Sequence, residues 1–544
     1  MHSTQPESGW SSRADSQGLH GYPTLLGAQL PERSSVERDR ENEIAAALSM
    51  LMDANTSPVN GDGFNHAIPC GYTYLAQFAA HDMTLNSRPL PDTGGSGVPD
   101  NLRARALMLD ALYGGGPQVL PHCHAQPDDP TEAAVKLRLE PVRIGSRQGP
   151  KRDIGRLMET INDRLRCTPL IADARNDDNA VVAQITALFI QVHNAAADRL
   201  PANWRSEERY SGARLAVTVA YRAIIRNDLL GRILEPATYD WYAGQGGDRR
   251  FLDTGLRDRL VTAEFAHAVW RMGHAMVRPE YKFNLRSESH PLDTVIERNA
   301  QKRPREMPLD REWIAQWPLF FDFGKRKPQP SMLIGPSFAG PLHRAFKTPS
   351  EGESGGLAKR DFQRGSASAV ASVAQLRQRI AALAPVAYPN RAWLTDARRH
   401  HAIVRDFLDK ANLAGRINKS LVQSITGEAP LGFFVLVEAA AKPWCGQHLG
   451  PLGSMIAAET FFRALDDETS LDSLSPRPGF GAAEAVRAVF GELPQSMPAL
   501  IRWLDTAPPG RIATYDVARS AVGYLFLSRD LEQFTDTWAL VQAM

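Results

Sequence analysis

Between Asp177 and Leu200, apolar residues fall at Val181, Ile185, Leu188, Val192 and Ala196. That is the stripe of a helix turning one face to a core. The same period recurs over 40–53, 71–83, 208–231, 260–277, 367–384, 429–441 and 453–465. Period-two alternation with β-branched residues is scarce, so the expected fold is mainly α, with little or no β-sheet. Pro- and Gly-rich stretches predict loops at Arg88–Asn101, Gly114–Pro130, Ser287–Pro308 and Pro349–Gly356. No loop divides the chain into self-sufficient halves and no segment repeats. The expectation is a single large body over 23–544, preceded by a polar, Ser-rich, flexible tail over 1–22.

With 544 residues, 43% of them hydrophobic, the chain can bury a large core. A formal net charge of +1 argues against a dedicated nucleic-acid or polybasic membrane surface. The four cysteines, Cys70, Cys123, Cys167 and Cys445, form no CxxC pair, which argues against a disulfide scaffold or a structural zinc site. His122-Cys123-His124 has ligand chemistry but no second cluster to complete a set, and is expected to be a surface loop. No stretch has signal-peptide character or the ~20 apolar residues of a spanning helix, so a cytoplasmic protein is expected.

Three short segments carry chemistry. In Gln77-Phe78-Ala79-Ala80-His81-Asp82, Gln77 and His81 are four residues apart and share a helix face. A neutral imidazole there can move a proton to and from a bound molecule, with Gln77 orienting it. In Ala172-Asp173-Ala174-Arg175-Asn176-Asp177-Asp178-Asn179, at the start of the long helix, Arg175 offers a permanent positive charge. In Glu264 to Pro279, Arg271 and His274 share a face at i, i+3, and Gly273 leaves room beside the imidazole for a flat macrocycle. His267 is a rival histidine two turns earlier, and spacing does not choose between the two. A proton-transfer base, a fixed cation and an axial ligand are what peroxide chemistry at a haem asks of a protein.

Together these segments resemble the haem peroxidase–cyclooxygenase superfamily, and within it the bacterial branch of the animal-type haem peroxidases. Gln77 to Asp82 resembles the distal helix, with His81 and Gln77 in the matching places. Thr168-Pro169-Leu170 through Asn179 resembles the catalytic-arginine segment, with Arg175 in the arginine position, and His193-Asn194 matches the pair that ends that helix. Trp270-Arg271-Met272-Gly273-His274 resembles the proximal motif, which points to His274 rather than His267 as the iron ligand. Further matches are Leu109 to Pro117, Arg360-Asp361-Phe362-Gln363-Arg364-Gly365, Ala429 to Phe434 and Leu449 to Gly453. The resemblance runs from about Leu26 onward. It implies a mostly helical single domain, haem b held by His274 with Asp178, Arg271, Asp361 and Arg364 around it, and catalysis by His81, Arg175 and Gln77. It implies hydrogen peroxide and a small organic electron donor as the reactants.

The chain departs from the family pattern at four places. The Asp that forms a haem ester in the animal enzymes is Ala80, and the ester-forming Glu is Asp178, so haem without the double ester link is expected. The proximal His usually donates to an Asn, where this chain has Asp361; that carboxylate faces either His274 or the neighbouring Arg360 and Arg364. Asp82 and Asp110 match calcium-loop positions, but Met108 falls where another Asp is expected, and a calcium site is not favoured. The family's fatty-acid oxygenases carry a radical-forming Tyr three residues before the proximal His; Arg271 stands there, as in the peroxidases. A dioxygenase of the same superfamily and a catalytically degenerate haem-binding protein are the alternatives. Missing esters argue against halide oxidation, and the organic substrate is not named by the sequence.

Overall fold

The computed structural model describes residues 22–26, 34–53, 63–87, 100–126, 134–244, 249–252, 261–344 and 355–506. Residues 1–21 of the expected tail, and most of the expected loops at Arg88–Asn101 and Pro349–Gly356, lie outside these. The fold is mainly α, 53% helical with 11% strand.

Three helices build the centre of the core: Gly71–Met83, Ala180–Arg199 and Ser206–Ile224. Phe78 stacks on Phe189 at 5.1 Å with their planes 4° apart, and Tyr221 meets both rings edge-on. The sequence stripe over 177–200 understated the burial, because nearly every residue from Ala180 to Ala197 is buried, polar ones included. Its polar side chains find partners both within the helix and across from it: the Thr186 hydroxyl donates to Val182 O at 2.8 Å and the Gln191 amide to Ala187 O at 3.0 Å, while Asn194 pairs with the backbone N–H and carbonyl of Leu137 at 2.8 and 3.0 Å. This is the one described helix long and apolar enough to cross a membrane, and it is wholly buried in the protein.

Gly71 starts its helix against Phe320 O, where a Cβ would come within 2.5 Å, so only glycine allows this approach. The Ser206 helix runs on through a π segment, Ile225–Leu229, to Ile233. Asp228 in that segment accepts from Tyr72 Oη at 2.8 Å and from Met497 N at 2.9 Å, tying the Gly71 helix to the C-terminal helix Met497–Thr506.

The described strands form four small antiparallel pairs. One positions the site: Arg156–Ile161 pairs with Arg164–Pro169 through a turn at Asn162 and Asp163, both with positive φ. The second strand delivers the chain directly to the Arg175 segment. Arg156, buried at its base, bonds Asp153 at 2.6 Å and Asp177 at 2.7 Å, fastening the hairpin to that segment.

Three local expectations change. The helix predicted over 260–277 is broken: Ala263–His267 is α-helical, Ala268 leaves helical geometry at φ −134°, ψ −71°, and Val269–Met276 is a 3₁₀ helix. The Trp270 indole reaching Ala76 O on the Gly71 helix at 3.1 Å secures the turned-aside segment. The stretch Ser287–Pro308, expected as loop, contains the helix Leu292–Glu297. His122-Cys123-His124 is not a surface loop throughout, since Cys123 and His124 are buried, with His124 Nδ1 donating to Leu120 O at 2.9 Å.

Candidate active site

His81 lies near the end of the Gly71 helix, 8% exposed. Its Nδ1 is 2.9 Å from Asn176 Oδ1. Asn176 donates its Nδ2 to Ala111 O at 3.2 Å, so Oδ1 is the acceptor and the His81 proton sits on Nδ1. That leaves the Nε2 lone pair free, with no partner among the described residues. Burial, helped by the Arg175 charge, lowers the His81 pKa to about 4, so the ring is neutral at ordinary pH. Gln77, one turn earlier, accepts from Asn179 Nδ2 at 3.2 Å. Asn179 also caps the long helix by accepting from Val181 N and Val182 N.

Arg175 sits in the 3₁₀ turn Ala174–Asp177. Its Nη2 donates to Thr84 O at 2.6 Å, His81 O at 3.0 Å and Asp173 Oδ2 at 2.7 Å, and its Nε to Asp173 Oδ1 at 3.0 Å. Nη1 has no partner among the described residues. Arg103 binds His81 O at 3.1 Å and shares Asp173. Burial pushes Asp173 up, but the Arg175 bonds outweigh it and hold its pKa down to about 2. Asp178, on the same turn, is open to solvent by area, yet enough protein surrounds it that burial raises its pKa to about 7 against the Arg175 charge. The two facts together describe a carboxyl lining a concavity.

On the 3₁₀ segment, Arg271 and His274 still share a face, since i and i+3 eclipse at three residues per turn. Asp361, from the helix Leu357–Ala367, meets both: His274 Nδ1 donates to Oδ2 at 2.6 Å and Arg271 Nη1 to Oδ1 at 2.8 Å. Of the two sequence alternatives, the geometry is the His274 one. Burial pushes Asp361 up, while His274 and Arg271 more than offset it and hold it below the ordinary carboxylate value. The His274 side chain is 32% exposed and its Nε2 has no partner among the described residues. His267 is different: it is 1% exposed, neither ring nitrogen has a hydrogen bond, and Tyr22 packs edge-on at 4.5 Å.

Tyr22 connects the two sides. It was expected at the end of a flexible tail but is 6% exposed, its hydroxyl donating to Asn86 Oδ1 at 2.7 Å. Burial raises its pKa, and four guanidinium groups oppose that rise: Arg175 and Arg103 from the His81 side, Arg364 and Arg271 from the His274 side. All four therefore surround one region.

That region fits haem. The two imidazoles are each tied at Nδ1 and leave Nε2 free. A Cβ on Gly273 would meet nothing within 4 Å. Arg364 has no hydrogen-bond partner among the described residues, and burial with the Arg271 charge lowers its pKa to about 10, still charged at neutral pH. Asp173 and Asp361 answer two of the four guanidinium charges. Asp361 is divided between Arg271 and His274, so on that side two guanidinium groups face one shared carboxylate. Arg271 and Arg364 are the residues that would hold the carboxylates of a haem, and His274 the one that would bind its iron.

Asp82 and Asp110 do not gather a calcium set. Asp82 is fully buried and accepts from Leu109 N and Ala111 N at 2.9 and 3.1 Å; Asp110 pairs with Arg214 at 2.8 Å. No group of three or more metal-ligating side chains occurs among the described residues. Asp173 and Asn176 could have been found as polar neighbours of Arg175 in sequence. Tyr22, Arg103 and Arg214 carry no local signal and reach the site only through the fold.

The family described as animal haem peroxidase matches residues 147–333, which include Arg175, Asp178, Arg271 and His274. No curated protein matches the chain. Among solved structures, peroxidase A from Dictyostelium discoideum is similar with a TM-score of 0.53 and 14% identity, over 89% of this chain and 93% of that one. The fatty acid alpha-dioxygenase of Oryza sativa is similar with a TM-score of 0.54 and 14% identity, over 84% and 77%. That of Arabidopsis thaliana gives 0.54 and 14%, over 92% and 82%. At such identity the structural likeness is one of fold. Residues 147–333 thus match the animal haem peroxidase family, and over most of its length the chain shares the fold of a peroxidase and of fatty acid alpha-dioxygenases.

Proposed function

We propose that the chain is a haem peroxidase that uses hydrogen peroxide to oxidise a small organic donor. The observation that carries this reading is the matched pair of imidazoles: His81 and His274 each donate Nδ1–H to a fixed acceptor and keep Nε2 free. A haem bound here would supply the iron that takes up peroxide and the oxidising equivalents passed to the donor. His274 would hold that iron, and Asp361, by drawing on its Nδ1 proton, would make it a more basic ligand. His81 Nε2 takes a proton from one peroxide oxygen and returns it to the other as the O–O bond breaks. Its low pKa keeps it in the accepting form. Arg175 supplies fixed positive charge beside that bond, its Asp173 and carbonyl contacts holding it in place. Gln77 orients the bound molecule. Asp178 is a free carboxyl on this reading, and the haem is held without the double ester.

A fatty-acid dioxygenase is the second reading, because two of the structural relatives are named as such. Arg271, clamped by Asp361 three residues before His274, favours the peroxidase. The test is an absorption spectrum of haem-reconstituted protein before and after peroxide, followed by rapid-mixing trials of phenols, amines, halides and fatty acids. A peroxide-dependent spectral change reversed by phenols or amines supports the peroxidase. Unchanged spectra sink it, and oxygen uptake with fatty acid alone would favour the second reading.

A further inference from the structure

The loop Ala106–Tyr113 beside His81 is held in an unusual way. Leu107 and Leu109 both have left-handed backbone, at φ +58° and +56°, a conformation that bulky L side chains rarely adopt. Asp82, next to His81 in sequence, takes the N–H groups of Leu109 and Ala111 on its two oxygens. The backbone of Ala111 then does two things: its N–H meets Asp82, and its carbonyl, in the next peptide group, takes the Asn176 amide that fixes the His81 tautomer. Orientation of His81 therefore depends on where this loop puts Ala111.

A divalent cation among the neighbouring carboxylates is one way to pin such a loop, and the family resemblance implies calcium there. The donor set does not fit it. Asp82 spends both oxygens on backbone N–H groups. Asp110 is bonded at 2.8 Å by Arg214, from the Ser206 helix, whose guanidinium also lies over the Tyr113 ring at 4.9 Å. Met108 offers a thioether, in contact with Arg222 Nη1 at 3.7 Å. Arg222 is itself fixed by the carbonyls of Ala464, Leu465 and Asp467. Calcium requires six to eight oxygens.

We propose that Arg214 is the built-in cation of this scaffold and a positioning residue for His81, acting through Asp110, the Ala111 backbone and Asn176, so that the site assembles without a metal ion. Its guanidinium grips the first turn of Asp110–Tyr113 from both sides, by charge at Asp110 and by ring contact at Tyr113. The turn so held sets the Ala111 carbonyl, and that carbonyl sets which end of the Asn176 amide faces His81. The proposal rests on the proton-transfer role given to His81 only for its catalytic consequence.

The experiment has three arms. In the first, haem-free protein is unfolded thermally with EDTA, with added Ca²⁺ and with neither, and its metal content is measured. Identical midpoints and no stoichiometric metal are expected; bound calcium, or a midpoint lowered by EDTA, overturns the proposal. In the second, ¹⁵N-histidine NMR of haem-free protein reads the His81 tautomer, assigned by the signal lost in His81→Ala. Arg214→Met should mix the two tautomers and Arg214→Lys should keep one; a single unchanged tautomer in Arg214→Met overturns the proposal. In the third, haem-loaded Arg214→Met should react with peroxide roughly tenfold or more slowly, within the range of positioned acid–base effects, with Arg214→Lys restoring most of the rate. If His81→Ala leaves the wild-type peroxide rate unchanged, the functional reading fails, while the first two arms still decide the role of Arg214.

Discussion

Asp361 binds His274 Nδ1 at 2.6 Å and Arg271 Nη1 at 2.8 Å, so one buried carboxylate is divided between an imidazole and a guanidinium. The division matters, because an undivided carboxylate would pull the imidazole further toward its anionic form. Arg271 moderates that pull while fixing the carboxylate plane. Asp361→Asn removes the negative charge and should raise the reduction potential of the reconstituted haem. Each tenfold change in relative affinity for the two iron states corresponds to about 59 mV. Spectroelectrochemical titration reads the shift, and an unchanged potential would count against the pairing in the loaded protein.

His274→Ala and His81→Ala should separate binding from chemistry. Loss of His274 removes the free Nε2 beside Gly273 and should abolish a stable haem spectrum. Loss of His81 should leave haem uptake intact and slow the reaction with peroxide by roughly 10²–10⁴-fold. Equal effects of the two variants on haem uptake would contradict the roles assigned to them.

The His81 pKa of about 4 predicts where acid acts. The peroxide rate should hold through neutral pH and fall as pH approaches about 4, where His81 takes up a proton. Stability follows the same group. The unfolded chain protonates this imidazole near 6.5 and the folded one near 4, so between those values the unfolded state holds more protons. Stability is therefore lost as pH falls through that window. His81→Gln, which cannot titrate, should show a shallower loss when thermal midpoints at pH 6.5 and 4.5 are compared.

Asp178 has the opposite sign. Its folded pKa of about 7 lies above the ordinary 3.8, so folding disfavours its charged form, and the penalty grows as pH rises toward 7. Asp178→Asn should raise the thermal midpoint of haem-free protein more at pH 8 than at pH 5. In the loaded protein, acid-acetone should extract the haem. Haem that stays on the wild-type protein but leaves Asp178→Asn would instead reveal an ester.

Phe78 tests the core beneath the site. Stacked on Phe189 and fully buried, it should cost about 3–5 kcal/mol when replaced by Ala. Chemical denaturation measures this, and a loss under 1 kcal/mol would place the support of the Gly71 helix elsewhere.

The helix over 71–83 was legible because its apolar residues keep one period from end to end, and Gly71–Met83 is where it forms. The helix over 260–277 was misjudged because periodicity records what faces the core, whereas the break at Ala268 is secured by a tertiary bond from Trp270 to Ala76 O. Spacing left His267 and His274 tied; burial without partners at one, and Asp361 at the other, sets them apart. Tyr22 was illegible for a related reason. Its neighbourhood is set by Pro23 O accepting from Ala263 N and by Leu25 N donating to Glu264, pairings across more than two hundred residues that no local pattern encodes.

The long helix Ala180–Arg199 has almost no face in water, while the His274 segment is a 3₁₀ helix with weaker hydrogen-bond geometry. Hydrogen exchange should therefore be slowest in the helix that begins just after the Arg175 turn and much faster around His274. On the proposed function, the residence time of a haem held by His274 would then be governed by brief openings of Val269–Met276. It can be short in a protein whose global unfolding is slow, and it can be lengthened by stiffening Val269–Met276 without touching the rest of the core.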